Sequence, residues 1–134
     1  RHLPKADFVI STVPHTPETE LMFNSDRFKL MKNTSYFINV GRGKVCSIDD
    51  LADAIEAGQI AGCGMDVFEI EPCDPNHPLL KLDNFISSPH AGGESVFSGE
   101  WSGITASREA ALIVKGEWPR RVVNPEVRRN LRPA

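Results

Sequence analysis

Three side chains in this sequence could together carry out acid–base chemistry on a small anion: Arg42, Glu71 and His90. An arginine presents a permanently charged fork that suits a carboxylate or a phosphate. A histidine gives or takes a proton near neutral pH, and a glutamate bonded to its other ring nitrogen would orient the ring and favour its protonated form. This combination suits the interconversion of a carbonyl and an alcohol beside a carboxylate. No side chain donates a hydride, so a nicotinamide cofactor is the expected source.

Each of these residues also has a simpler interpretation. Arg42 lies between Gly41 and Gly43, and a solvated surface turn would explain a Gly-Arg-Gly sequence equally well. A histidine after Ser-Ser-Pro is more often a loop residue than a catalyst, and Glu69 and Glu71 could be solvated loop charges. The set is therefore informative only if the fold brings its members together.

Short β-rich runs alternate with helical patterns, which predicts an α/β protein. The expected fold is a partial doubly wound (Rossmann-like) parallel sheet with flanking helices and a long C-terminal helix over about 94–115. Ser47 and Asp50 have the spacing of a capping box at the start of another helix. The expected strands are 8–13, 36–38, 60–68 and 84–90. Because the carboxyl ends of parallel strands meet at one edge of a sheet, Arg42, Asp66 and His90 are expected to converge there.

Composition narrows the class of protein. The 134 residues carry a formal charge of −3, which argues against a general nucleic-acid binder. No apolar run approaches the roughly 20 residues that span a bilayer, so we expect no membrane association. The three cysteines form no Cys-x-x-Cys unit. We therefore expect no metal site and no disulfide framework, and a reducing, cytoplasmic location.

Four ordered motifs resemble those of the D-isomer-specific 2-hydroxyacid dehydrogenases. They are Val-Pro-His-Thr-Pro-Glu-Thr (13–19), Phe-Ile-Asn-Val-Gly-Arg-Gly (37–43), Gly-Met-Asp-Val-Phe-Glu-Ile-Glu-Pro (64–72) and Ser-Pro-His-Ala-Gly-Gly (88–93). The resemblance implies an oxidoreductase that interconverts a 2-oxo acid and a D-2-hydroxy acid, with NAD or NADP as cofactor. In that scheme Arg42 binds the substrate carboxylate and carbonyl, His90 is the general acid/base, and Glu71 pairs with His90.

The resemblance also implies a cofactor site and an assembly. Asp66 would hold the nicotinamide carboxamide, and Val13 and Pro14 would line the adenine side of the cleft. The complete implied cofactor-binding set is Val13, Pro14, Val40, Gly41, Arg42, Asp66, His90 and Gly92. The small-molecule partner would be a 2-oxo or 2-hydroxy acid, and the complete protein would be a homodimer.

The family's glycine-rich phosphate loop, Gly-x-Gly-x-x-Gly, does not occur before Asp7. Residues 1–116 are therefore expected to be the C-terminal half of a dinucleotide-binding domain whose first half is absent. Residues 117–134 are expected to be an extended basic tail that packs on a missing substrate domain. The strand at 8–13 would then lie at an exposed apolar edge of the sheet.

Four alternatives compete with this interpretation. A phosphite-type dehydrogenase resembles the same scaffold and is compatible with these residues. A formate dehydrogenase is disfavoured, because that class typically has glutamine where Glu71 stands. A corepressor-like module would keep the fold and sense NAD(H) without turnover, and an inert fragment would do neither.

Overall fold

The computed structural model describes the backbone of residues 2–130 and the side chains of residues 2–128. The described residues fall into two compact units that divide between Gly92 and Gly93. The expected division at residue 116 stays a prediction, and the last four residues of the expected tail, 131–134, lie outside the described residues. The first unit contains a sheet and two helices, and the second contains one long helix and the segment after it.

The sheet of the first unit has four parallel strands in the order of the sequence. These strands are β1 (Phe8–Ser11), β2 (Tyr36–Asn39), β3 (Gly62–Met65) and β4 (Phe85–Ser87). The register places Ser11 beside Asn39 and Asn39 beside Met65, so the carboxyl ends of three strands lie level. Helices α1 (Ser25–Phe28) and α2 (Ile48–Glu56) connect the first three strands. The expected α/β fold with a parallel sheet is confirmed, and β1 lies at the sheet edge as expected.

One face of the sheet carries the hydrophobic core of this unit. Phe37 of β2 is fully buried, and its ring centroid lies 4.7 Å from that of Phe23 and 5.4 Å from that of Phe28. Helix α2 buries Leu51, Ala52, Ala54 and Ile55, a spacing of three and four residues that places them on one helical face. The strand ends that follow are therefore attached to a packed layer rather than to loose loops.

The second unit is built around α3 (Val96–Val114). A capping box begins this helix, because the side chains of Ser95 and Ser98 each accept a bond from the other residue's backbone amide. Gly116 follows its end with a φ of 73°, a conformation that favours glycine. The Glu109 carboxylate accepts the amide of Arg120 at 2.7 Å, which holds the following segment against the helix. The expected long C-terminal helix is confirmed.

Three of the four strands are shorter than the apolar runs of the sequence indicated, whereas β2 extends one residue further, to Asn39. β3 ends at Met65 instead of continuing to residue 68. The amide of Asp66 still donates to the carbonyl of Asn39 at 3.0 Å, and its carboxylate bonds to the loop after β4. The expected capping box of α2 is half formed. Ser47 accepts the amide of Asp50 at 3.3 Å, but the Asp50 carboxylate accepts the amide of Ser25 at 2.9 Å and so ties α2 to α1.

Candidate active site

Arg42 is presented by a turn that a buried amide holds in shape. Asn39, the last residue of β2, is fully buried. Its Oδ1 accepts the amide of Gly41 at 3.2 Å, and its Nδ2 donates to the carbonyl of Arg42 at 3.0 Å. The Arg42 side chain is exposed, and one guanidinium nitrogen donates to the carbonyl of Gly41 at 2.8 Å. Other donors of the guanidinium remain for a ligand. We call residues 39–43 the Arg42 turn.

Gly43 brings the Arg42 turn into direct contact with the chain after β3. A Cβ at this position would overlap the carbonyl of Phe68, and it would lie 2.6 Å from the amide of Glu69. No side chain fits there, so glycine is required by space rather than by backbone angle. The requirement places the backbone of Arg42 next to the segment that carries Glu71.

Glu71 and His90 form a hydrogen-bonded acid–base pair. Oε2 of Glu71 lies 2.7 Å from Nδ1 of His90, and Oε1 accepts the amide of Phe68 at 2.9 Å. The bond to His90, followed by that from Phe68, holds the pKa of Glu71 below its usual value. An ionised carboxylate only accepts, so Nδ1 of His90 carries the proton of this bond. Nε2 of His90 has no hydrogen-bond partner among the described residues.

Asp66 ties the end of β3 to the loop after β4. Its Oδ1 accepts the hydroxyl of Ser88 and the amide of Ala91, the latter at 2.9 Å. Its Oδ2 accepts the amide of Gly92 at 2.9 Å. The Ser88 hydroxyl, followed by the Gly92 amide, holds the pKa of Asp66 below its usual value, against a rise from burial. The carboxylate is therefore ionised at neutral pH and already bonded to three donors.

Two cavities meet at Arg42. The first, of about 230 Å³, brings Arg42, Glu71 and His90 together, whereas Asp66, which was expected to converge with Arg42 and His90, does not line it. The second is a groove of about 240 Å³ lined by Thr12 and by predicted cofactor residues. The predicted residues in the groove are Val13, Pro14, Val40, Gly41 and Arg42. A third cavity, of about 400 Å³, contains Asp66 on the other side of the acid–base pair. Asp66 and Gly92 bond to each other, and their cofactor roles stay predictions.

Four residues that matter for the geometry did not stand out in the sequence. His15 and Lys44 line the first cavity and add two basic groups near Arg42. Asn39 shapes the Arg42 turn, and Ser88 bonds to Asp66. His15, Asn39 and Ser88 lie within the motifs that carry the family resemblance, but nothing in their residue types indicated a role. Lys44 lies just outside those motifs.

The buried cysteines Cys46 and Cys63 do not add a second reactive site. Burial raises the pKa of the Cys63 thiol to about 12 and that of Cys46 well above its usual value, so both stay protonated. Within residues 2–130, no group of three or more histidine, cysteine, aspartate or glutamate side chains could hold a metal ion. None of the helices in this range combines the length and apolar character needed to cross a bilayer.

Comparison with known proteins identifies the family of this chain. Residues 1–92 match the family described as D-isomer specific 2-hydroxyacid dehydrogenase, NAD binding domain. A glyoxylate reductase from Thermofilum pendens is 42% identical over 125 residues, which is 93% of this chain and 37% of the relative. A glyoxylate reductase/hydroxypyruvate reductase from Mus musculus is 37% identical over 113 residues, which is 84% of this chain and 34% of the relative. The chain therefore spans little more than a third of the length of these curated relatives.

Solved structures show the same fold. A protein from Thermus thermophilus superposes with a TM-score of 0.86 at 32% identity, over 90% of this chain and 39% of that one. The NADPH-dependent glyoxylate/hydroxypyruvate reductase from Sinorhizobium meliloti, solved with NADP and sulfate, gives 0.78 at 27% identity, over 91% of this chain and 40% of that one. The family match covers more than half of the chain, from β1 to the loop after β4. The chain belongs to the D-isomer specific 2-hydroxyacid dehydrogenases, through the NAD binding domain of that family.

Proposed function

We propose that the protein carrying this chain reduces a 2-oxo acid to a D-2-hydroxy acid with NADH or NADPH. The observation that carries the proposal is the cavity in which Arg42 lies beside the hydrogen-bonded pair of Glu71 and His90. An anion clamp and a proton donor at one site match what carbonyl reduction beside a carboxylate requires. The names of the relatives favour small 2-oxo acids such as glyoxylate and hydroxypyruvate.

The groove beside Arg42 fits a nicotinamide cofactor. It lies at the carboxyl ends of β1 and β2, where parallel sheets bind nucleotides, and Val13, Pro14 and Val40 are among its lining residues. A bound nicotinamide would supply the hydride. One structural relative was solved with NADP and another, from Lactobacillus delbrueckii, as an NAD complex, so both cofactors are candidates.

The side chains then divide the remaining work. The guanidinium of Arg42 holds the substrate carboxylate and polarises the neighbouring carbonyl oxygen. His90 donates the proton on Nε2 to that oxygen as it becomes a hydroxyl. Glu71 holds the opposite nitrogen, Nδ1, which orients the ring so that Nε2 faces the substrate. Glu69, the other glutamate of the motif, instead lies 3.4 Å from the amide of Ile48 at the start of α2.

A reductase assay tests this function. Oxidation of NADH and NADPH is followed with glyoxylate, hydroxypyruvate and larger 2-oxo acids, beside a reverse assay with phosphite and NAD. We expect turnover with a 2-oxo acid, and His90→Asn to lower kcat by about 10²–10⁴-fold, since the proton donor is lost. His2→Asn, a matched change at an exposed histidine outside the cavities, should leave kcat unchanged.

Other outcomes identify the competing functions. Turnover of phosphite alone would replace the proposed substrate class. Saturable NAD(H) binding without turnover of any substrate would indicate a sensing module of the corepressor type. Full activity in His90→Asn would contradict the proposed proton donor. The homodimer and the cytoplasmic location stay predictions.

A further inference from the structure

A single carboxylate holds both sides of the catalytic histidine. Asp66 bonds to the hydroxyl of Ser88 on one side of His90, and to the amides of Ala91 and Gly92 on the other. We call residues 88–92 the His90 loop. His90 itself makes no hydrogen bond to Asp66 among the described residues, because its Nδ1 is bonded to Glu71. Asp66 therefore acts on the backbone that presents the imidazole.

The backbone of His90 has a conformation that needs such support. Its φ is +56°, in the left-handed region that residues with a Cβ rarely occupy. Unfavourable backbone angles persist at functional sites only where surrounding contacts hold them. The Asp66 bonds are contacts of this kind, since their donors lie two residues before, one residue after and two residues after His90.

The Asp66 carboxylate leaves no space for a side chain at position 92. A Cβ on Gly92 would lie 2.8 Å from Oδ2 of Asp66, closer than real Cβ atoms approach a neighbour. Any side chain at position 92 would therefore push the carboxylate away from its donors. Asp66 is only 6% exposed, so water does not readily replace a lost donor.

We propose that Ser88 and Asp66 are positioning residues for His90. Their hydrogen bond fixes the His90 loop so that Nδ1 points to Glu71 and Nε2 remains for the substrate. The proposal rests on the proposed function of His90 as proton donor, and it assigns Ser88 a role in that reaction. It also gives Asp66 a task besides the expected cofactor contact, because three of the acceptor positions on its carboxylate are already filled.

The direct test observes His90 without turnover. The 134-residue chain is labelled with ¹⁵N-histidine, and the Nδ1 proton shared with Glu71 is followed by NMR. We expect Ser88→Ala to weaken or abolish this hydrogen-bonded signal and to shift both ring nitrogens of His90. Ser88→Thr keeps the hydroxyl and should restore the signal. Ser87→Ala removes a neighbouring serine hydroxyl that makes no bond within the described residues, and should change nothing.

Two results would overturn the proposal. A folded Ser88→Ala chain with unchanged His90 resonances would show that the Ser88 bond does not position the ring. If Ser88→Ala does not fold, Gly92→Ala disturbs the same carboxylate from the other side. Unchanged His90 resonances in a folded Gly92→Ala chain would also reject the proposal. Because neither measurement needs catalysis, failure here is distinguishable from failure of the reductase assay.

Kinetics separate positioning from cofactor binding. In the active reductase, Ser88→Ala should lower kcat by about 10²-fold, the cost of a small misplacement of a catalytic group, with KM for the 2-oxo acid unchanged. Ser88→Thr should recover most of kcat. Weaker NAD(H) binding with kcat unchanged would instead show that Ser88 and Asp66 serve the cofactor, which contradicts the proposal.

Discussion

The backbone conformation that presents Arg42 depends on the neighbouring residue Asn39. Asn39 satisfies the amide of Gly41 and the carbonyl of Arg42 with one buried carboxamide. Buried polar groups of the backbone are costly when unpaired, so this amide stabilises the turn as well as shaping it. The Arg42 guanidinium is thereby directed from a fixed backbone rather than from a mobile loop.

The planar guanidinium of Arg42 leads to a prediction about kinetics. Arg42→Lys keeps the positive charge but replaces a planar fork with a single ammonium group. We expect KM for the 2-oxo acid to rise and kcat to fall, together lowering kcat/KM by roughly 10²-fold or more. Steady-state kinetics measure this, with the exposed Arg27→Lys as the matched control. Unchanged values in Arg42→Lys would contradict the carboxylate clamp.

The pair of Glu71 and His90 leads to a prediction about turnover. In Glu71→Gln the histidine loses the charged acceptor that holds its Nδ1 and orients its ring. A small misplacement of the ring should lower kcat by about 10²-fold, with KM for the 2-oxo acid little changed. Steady-state kinetics measure this, with Glu56→Gln at the exposed end of α2 as the matched control. An unchanged kcat in Glu71→Gln would mean that Glu71 does not act on His90 during turnover.

At this scale the sequence indicated the candidate groups for chemistry but not the residues that hold them in place. Arg42, Glu71 and His90 stood out because their types suit a reaction and each follows a β-rich run. Ser88 and Asn39 are ordinary residue types whose importance depends on a partner far along the chain, such as Asp66 for Ser88. Pairings of this kind are a property of the fold, and no local pattern indicates them.

Among the elements, the order of strands and helices was predictable and their ends were not. Periodicity and proline placed all four strands, but β3 and β4 end before the apolar runs do. The amides of Asp66 and Ser88 still donate to the neighbouring strands, to the carbonyls of Asn39 and Met65, and the two side chains bond to each other just beyond the assigned strand ends. A tertiary partner also changed the start of α2, where the Asp50 carboxylate accepts the amide of Ser25 in α1. Element boundaries shift wherever a polar side chain finds a tertiary partner.

Gly43 joins two of these elements and leads to a prediction about stability. Gly43→Ala would force the Arg42 turn away from Phe68, because a Cβ there overlaps the Phe68 carbonyl. We expect a loss of about 1–3 kcal/mol in the free energy of unfolding, in the range of overpacked sites. Urea denaturation measures it.

Gly64→Ala is the matched control within the same sheet. The nearest atoms to a Cβ there are Ile38 Cγ1 at 3.9 Å and the Ile86 carbonyl oxygen at 4.0 Å, which is ordinary contact. Since glycine weakens a strand, this change should be neutral or stabilise by about 0.5–1 kcal/mol. Equal effects of the two substitutions would show that the contact at Gly43 does not limit stability.

For the whole molecule, the same carboxylates that organise the site make stability depend on pH. Asp66 and Glu71 both have pKa values below their ordinary ones in the folded state. Each therefore stabilises the fold at pH values above its unfolded pKa, about 3.9 for aspartate and 4.3 for glutamate. That contribution is lost as the pH falls from there through the folded values, because protonation removes the charged acceptor.

This reasoning predicts an acid-sensitive unfolding midpoint. From about pH 7 to pH 5 these two groups should leave the urea midpoint level, and below about pH 4 it should fall. Asp66→Asn should be less stable at neutral pH and should show a shallower acid decline, since one titrating acceptor is gone. Asp53→Asn, on the exposed side of α2, should reproduce the wild-type slope. An unaltered acid decline in Asp66→Asn would contradict the assignment.

The position of Arg42 at the junction of two cavities carries a consequence for the order of events in a catalytic cycle. Arg42 lines both the groove proposed for the cofactor and the cavity that holds the acid–base pair. A ligand bound in the groove therefore restricts the conformations of Arg42 before a second ligand binds. Thermodynamic linkage makes such coupling reciprocal, so a substrate anion would tighten the hold on the cofactor by the same factor that the cofactor tightens the hold on the anion.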